Sequence, residues 1–219
     1  MRLAPLARTS LTLAALCALG AAEAGAQKSK FEDSWFWGVK GGGVAFNTRR
    51  VQDAAAPGAG AEWLITRTHA ALNLSFMQYF FETQAAIDDP TNPTVTRTVD
   101  LKNMRNLGAS LLVFPKSYGT IRPYAGLGWN FNLIQQASAS GGFASAAQRD
   151  SVQARVQQAR TGVIPVFTAG AQGQYRRVSL FVQGGVSPGR KTFVFDTGSW
   201  YTFEGGVRYN VGTASERPN

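Results

Sequence analysis

Residues 121–134 read Ile-Arg-Pro-Tyr-Ala-Gly-Leu-Gly-Trp-Asn-Phe-Asn-Leu-Ile, and from Pro123 to Leu133 they alternate without a break. The odd positions are Pro123, Ala125, Leu127, Trp129, Phe131 and Leu133, and the even ones are Tyr124, Gly126, Gly128, Asn130 and Asn132. A period of two is the signature of a β-strand with one apolar and one polar face. The polar face here carries glycine and asparagine rather than lysine and glutamate. The same alternation returns at 162–175, 178–187 and 200–211. Upstream it is noisier, and strands are predicted at 35–46, 59–67, 70–84 and 98–114. Gln78 interrupts the apolar face of Leu72, Leu74 and Phe76 before Phe80 resumes it, which predicts a bulge or a membrane edge.

These strands number eight, and most reach the roughly nine residues that a tilted strand needs to cross a bilayer. The connections alternate as well. Long ones (47–58, 85–97, 137–161, 188–198) take turns with short ones (68–69, 115–119, 176–177). A closed up-and-down barrel in the outer membrane has this form, with short periplasmic turns at one end and long extracellular loops at the other. The fold class predicted is therefore all-β: a closed antiparallel up-and-down transmembrane β-barrel of eight strands. Within the longest loop, Ser145–Arg160 is rich in helix formers and sets Val152 and Val156 one turn apart, which predicts a short surface helix.

The barrel is predicted to occupy residues 35–212. Residues 1–26 read as a signal peptide. Arg2 and Arg8 give a positive start, Leu11–Ala22 an apolar stretch too short for a spanning helix, and Ala24-Gly25-Ala26 a cleavage site. Cys17 would leave with it, and Leu16 before it does not suit lipidation. A short periplasmic segment (27–34) and a disordered polar tail (213–219) complete the domain reading. Without Arg2, Arg8 and Glu23 the chain keeps 20 Lys+Arg against 12 Asp+Glu, a net charge of +8. In an exported chain that balance favours an anionic membrane surface over nucleic acid. Charged residues are only 16% of the chain. A soluble lipocalin-like barrel would need many more charges on its outer face. Aromatic residues gather near strand ends, as in membrane girdles: Trp35, Phe36, Trp37, Tyr175 and Tyr209 on one side, Trp200 and Tyr201 on the other.

The chain resembles the small eight-stranded outer-membrane barrels of the OmpA/OmpX type across about residues 35–212. Arg122-Pro123-Tyr124-Ala125-Gly126-Leu127-Gly128, a short turn feeding a glycine-rich strand, is the most similar stretch. The resemblance implies insertion by the barrel-assembly machinery, a monomer, and the outer membrane of a Gram-negative cell envelope. In such barrels a terminal aromatic residue often assists assembly, whereas here the last strand passes Tyr209 and ends near Val211.

Candidate chemistry is sparse. His69 is the only histidine, and it falls at a periplasmic turn, away from outer-leaflet lipid. No second His or Cys completes a metal site, and no cofactor is expected. Gly41-Gly42-Gly43 lies inside a strand and lacks the Gly-Lys-Ser/Thr of a phosphate loop. Lys40, Glu204 and Arg208 lie on the polar face of the first and last strands. Closure puts Lys40 beside about residue 206, which predicts a structural ion pair filling the lumen. Arg49, Arg50, Arg149, Arg155, Arg160, Arg190 and Lys191 map to the long loops, where they could meet lipopolysaccharide phosphates. The function expected is non-enzymatic: structural, adhesive or lipopolysaccharide-contacting. A lipid-modifying enzyme, a small-solute pore and a soluble periplasmic binder are the alternatives.

Overall fold

The structure, a computed structural model, describes residues 31–118, 120–189, 193 and 198–213. The signal peptide, Arg190, Lys191 and residues 214–219 lie outside the described residues. Eight antiparallel strands close into one barrel in sequence order: β1 (Ser34–Phe46), β2 (Ala54–Thr66), β3 (Ala70–Asp89), β4 (Asn92–Val113), β5 (Ile121–Ser140), β6 (Thr161–Tyr175), β7 (Val178–Ser187) and β8 (Trp200–Thr213). The closing pair is β1 with β8. One helix, α1 (Ala146–Ala159), lies between β5 and β6. The sheet thus runs one residue past each end of the span expected for it. Ser34 and Thr213 are strand residues, not parts of a leading segment and a tail.

The structure decides which face points outward, and the answer is the apolar one. Val39, Leu107, Leu111, Leu127, Trp129, Phe167, Val182 and Phe203 are each at least 50% exposed. The even, polar positions of β5 turn inward. A closed sheet with an apolar outer band and satisfied backbone groups is built to sit in lipid. Two aromatic residues of the expected girdles do not belong there. Phe36 and Trp200 are buried on the lumen side, because each falls on the inward phase of its strand.

Four strands run several residues longer than the periodicity indicated. β3 and β4 stay paired up to Asp89 and Asn92, so the long loop expected at 85–97 is a protruding hairpin with a two-residue turn, Pro90-Thr91. The β-branched residues Thr94, Val95, Thr96, Thr98 and Val99 favour extended backbone there. β5 likewise runs to Ser140. The contrast between the ends therefore survives as protrusion rather than as loop length, and connection lengths do not alternate strictly. β2 begins at Ala54 rather than 59, since β1 supplies pairing partners up to Phe46. Pro57 is tolerated because β3 pairs with β2 only up to Gly58, and an edge stretch accepts a missing N–H.

The interruption at Gln78 is a bulge. Register shifts between Tyr79 and Glu82, opposite Asn103, which takes φ 54° and accepts the Phe81 N–H at 3.2 Å. Asparagine tolerates the left-handed region better than most residues.

Along the barrel axis the lumen has three layers. At the turn end an apolar cluster includes Phe31, Phe36, Leu64, Leu112, Phe114 and Tyr124. At the loop end a larger cluster includes Phe46, Met77, Met104, Ile134, Val156, Phe193 and Trp200. Between them lies a polar layer. Small neutral residues and a structural ion pair among Lys40, Glu204 and Arg208 were expected to fill the lumen; the structure adds a fourth charge, Glu62, and two apolar plugs.

Candidate functional site

The polar layer is built across the closure seam. Lys40 on β1 lies opposite Gly206 on β8 and Gly60 on β2. These two side-chain-free neighbours leave room for its alkyl chain, and its Nζ donates to Glu204 Oε2 at 2.7 Å. Glu204 also accepts from Gln183 Nε2 at 2.8 Å and from the Tyr79 hydroxyl at 3.2 Å. Tyr124 donates in turn to Gln183 Oε1 at 2.9 Å.

Arg208 does not join this pair. Its guanidinium is fully buried, pairs with Glu62 and donates to Gln172, and it lies 3.8 Å from the Phe181 ring centroid. Glu62 on β2 and Arg208 on β8 are both register partners of Gly38 on the intervening β1. A Cβ at Gly38 would stand 3.1 Å from the Cγ atoms of both. The ion pair therefore closes over a glycine. Asn73 adds a hydrogen bond to Glu62 at 3.2 Å. Among the described residues, this polar layer then holds two cations and two carboxylates, each charge directly paired, as low-dielectric burial requires.

Sequence reasoning missed Glu62. The signal was present: it is the one acid on its strand and shares the phase of Gly58 and Gly60. The space left in the layer is a cavity of about 40 Å³, with apolar layers above and below it. The Lys40–Glu204 pair makes an asymmetric prediction. Glu204→Ala strands a buried ammonium and will cost about 3 kcal/mol or more. Lys40→Ala leaves Glu204 two other donors and will cost less, about 1–2 kcal/mol. Urea unfolding in lipid vesicles reads both, and fully additive losses in the double variant would rule out a direct pair.

The second candidate region is the loop end. Helix α1 starts at Ser145, whose hydroxyl accepts the Gln148 N–H at 3.1 Å, a common N-cap arrangement. It is not merely a surface helix, since Val152, Val156 and Ala159 are buried. Beyond Leu133, β5 has no β6 partner. Gln153 supplies part of the missing pairing: Oε1 accepts from the Ala139 N–H at 3.0 Å and Nε2 donates to the Ala137 carbonyl at 3.1 Å. A helix thus covers an exposed strand edge.

The β3–β4 hairpin is tied to this helix. Asp89 Oδ2 accepts from Arg97 Nε and from Gln148 Nε2, both at 2.9 Å. Its Oδ1 accepts the Thr91 hydroxyl at 2.6 Å and the Thr91 N–H at 2.8 Å. Arg97 reaches on to the Gly142 carbonyl at 2.7 Å and lies over Phe143. Led by the Thr91 hydroxyl, these donors hold the Asp89 carboxyl down to about 2. Its folded value lies below the usual carboxylate range, so the contribution is complete above about pH 4 and is lost as pH falls through about 2. Helix amide shifts followed by NMR will stay constant from pH 7 to 4 and move only below that. In Asp89→Asn the step will disappear.

The loop cations of the sequence reading divide into groups. Arg49 pairs with Asp88 at 2.7 Å, both exposed. Arg49 and Arg50 line an open cleft of about 710 Å³ with Asn47, Gln52 and Thr96. Arg149 and Arg155 are exposed on α1, with Arg149 only 3.9 Å from Asp150. Arg160 ends the helix, and its carbonyl accepts the Ile134 N–H at 2.9 Å. Among the described residues, the structure does not gather these cations into one site. His69 is exposed at the turn end, where its carbonyl accepts the Phe114 N–H at 2.8 Å.

No protein-family model matches the chain, and no curated protein is similar to it in sequence. Solved structures are similar in shape. Neisserial surface protein A aligns with 12% identity and a TM-score of 0.53, over 80% of this chain and 96% of that one. The N-terminal β-barrel domain of Pseudomonas aeruginosa OprF aligns with 13% identity and a TM-score of 0.46, over 82% of this chain and 98% of that one. The fold is that of the small eight-stranded outer-membrane barrels.

Proposed function

We propose that this chain is a non-enzymatic outer-membrane protein, a barrel closed to solutes that acts through its loop end in adhesion and in contact with lipopolysaccharide. The observation that carries this reading is the contrast between lumen and loops. The lumen is filled by paired charges between two apolar plugs. The loop end is fastened by Asp89, Arg97 and Gln148 while Arg50, Arg149 and Arg155 stay exposed. Ordering a loop costs conformational entropy, and a stiffened surface offsets that cost again when it binds.

Three measurements test the reading. Fractionation will place the protein with outer-membrane material, and its mobility on a gel will shift on boiling. In planar bilayers it will give no steady conductance; regular single-channel steps would replace the reading with a pore. The variant Arg50→Ala/Arg149→Ala/Arg155→Ala will hold lipopolysaccharide more weakly than wild type at low salt. Equal retention would remove the loops from lipid contact.

A further inference from the structure

The outer wall carries a polar feature that the loop surface does not include. Along β4 the outward positions run Val113, Leu111, Ala109, Leu107, all apolar, and then Arg105. From Val113 to Arg105 is roughly 27 Å along a strand and about 20 Å in height at a tilt of about 40°. That brings Arg105 close to the loop-end limit of the apolar band, at the level of lipid headgroups. Phe80 and Phe131 are outward-facing neighbours on the flanking strands.

Arg105 is fixed, yet among the described residues no carboxylate pairs with it. Its Nε donates to Gln78 Oε1 at 3.3 Å. The Gln135 amide, with its oxygen turned to the guanidinium, accepts from Arg105 Nη2 at 3.0 Å. Gln78 is itself anchored, since its Nε2 donates to the Tyr79 carbonyl at 3.1 Å. Arg49, Arg67, Arg97 and Arg208 all have carboxylate partners. Arg105 has two neutral amides in their place. Lys102, three residues away on β4 toward the loop end, is exposed and only loosely paired with Glu82 at 3.8 Å.

We propose that Arg105, oriented by Gln78 and Gln135, is a docking site on the barrel wall for a headgroup phosphate of lipopolysaccharide. The proposal rests on insertion with the loops outward, as in the reading above. An oriented guanidinium with free donors matches phosphate oxygens in a bidentate way. Its position at the loop end points to the outer leaflet, and the flanking amides can hydrogen-bond a phosphorylated sugar.

The test uses the full barrel in detergent micelles, titrated with lipopolysaccharide, with the same material after enzymatic removal of its phosphates, and with phosphatidylglycerol. The readouts are the melting temperature and the NMR signal of the Arg105 Nε–H. In wild type, lipopolysaccharide will shift that signal and raise the melting temperature. R105A will need on the order of tenfold more lipopolysaccharide for the same rise. R105K will fall between, and the dephosphorylated material will not distinguish the three proteins. An unmoved Nε–H signal in wild type would overturn the proposal, whatever the variants do. So would an equal Arg105-dependent response to phosphatidylglycerol, which would make the site a general anionic-lipid contact. Failure of the loop reading is seen separately, in the Arg50/Arg149/Arg155 variant, which leaves Arg105 intact.

Discussion

Glu62→Ala will destabilise the barrel by about 3–5 kcal/mol, the loss typical when a buried ion pair keeps only one partner. The reason is that the Arg208 guanidinium is fully buried against Phe181 and cannot discard its proton. Gln172 offers it a neutral acceptor only. Arg208→Ala will cost a similar amount, with Glu62 left to the single hydrogen bond from Asn73. The paired replacement Glu62→Leu/Arg208→Met is the informative control. It removes both charges and keeps apolar volume, so it will recover most of the loss. Urea titration in lipid vesicles, read by the heat-shifted band on a gel, measures all three. A double variant as unstable as the sum of the singles would mean that the two side chains act independently.

Gly60→Val will keep the barrel from closing, and no heat-shifted band will form. A Cβ at Gly60 would lie 1.9 Å from the Phe76 carbonyl oxygen and 2.7 Å from the Met77 sulfur. The first of these is backbone of the adjacent strand, so no rotamer change relieves it. Gly60 is also register partner to Lys40, whose chain passes over it. Overpacking that moves backbone belongs among the most damaging single changes. Gly173→Ala on β6 is the matched control, since a Cβ there meets nothing within 4 Å. It will fold and shift like wild type. A normal heat shift in Gly60→Val would show that β2 and β3 can separate at this point.

Much of the fold was legible because a barrel strand repeats one rule. Alternation at 121–134 marks a sheet with two unlike faces, and eight such stretches with unlike ends leave few other closed arrangements. Val152 and Val156 marked the helix, and Gln78 marked the bulge. The 85–97 segment was misread because loop-like residues there, such as Asp88, Asp89 and Pro90, mask strands that pair beyond the apolar band. Strand pairing continues as long as a neighbour offers hydrogen-bond partners, and no lipid demands alternation at that height.

The candidate sites were less legible. Phase on the polar face identified Lys40, Glu204 and Arg208 as lumen residues, and register put Lys40 beside residue 206. Which cation meets which carboxylate depended on stagger across the seam, on Gly38 and Gly60 leaving space, and on Glu62 from a strand not considered a partner. Arg97 was read as the end of a loop, and its ties to Asp89 and Gly142 join segments far apart in sequence. By itself the sequence determined the number of strands, their phase and the unlike ends, because each is a local pattern of period two. Only the tertiary structure decided which face meets lipid, how the four buried charges pair, and that Gln78 and Gln135 converge on Arg105. Those outcomes depend on closure and stagger, which bring together side chains that no local pattern relates.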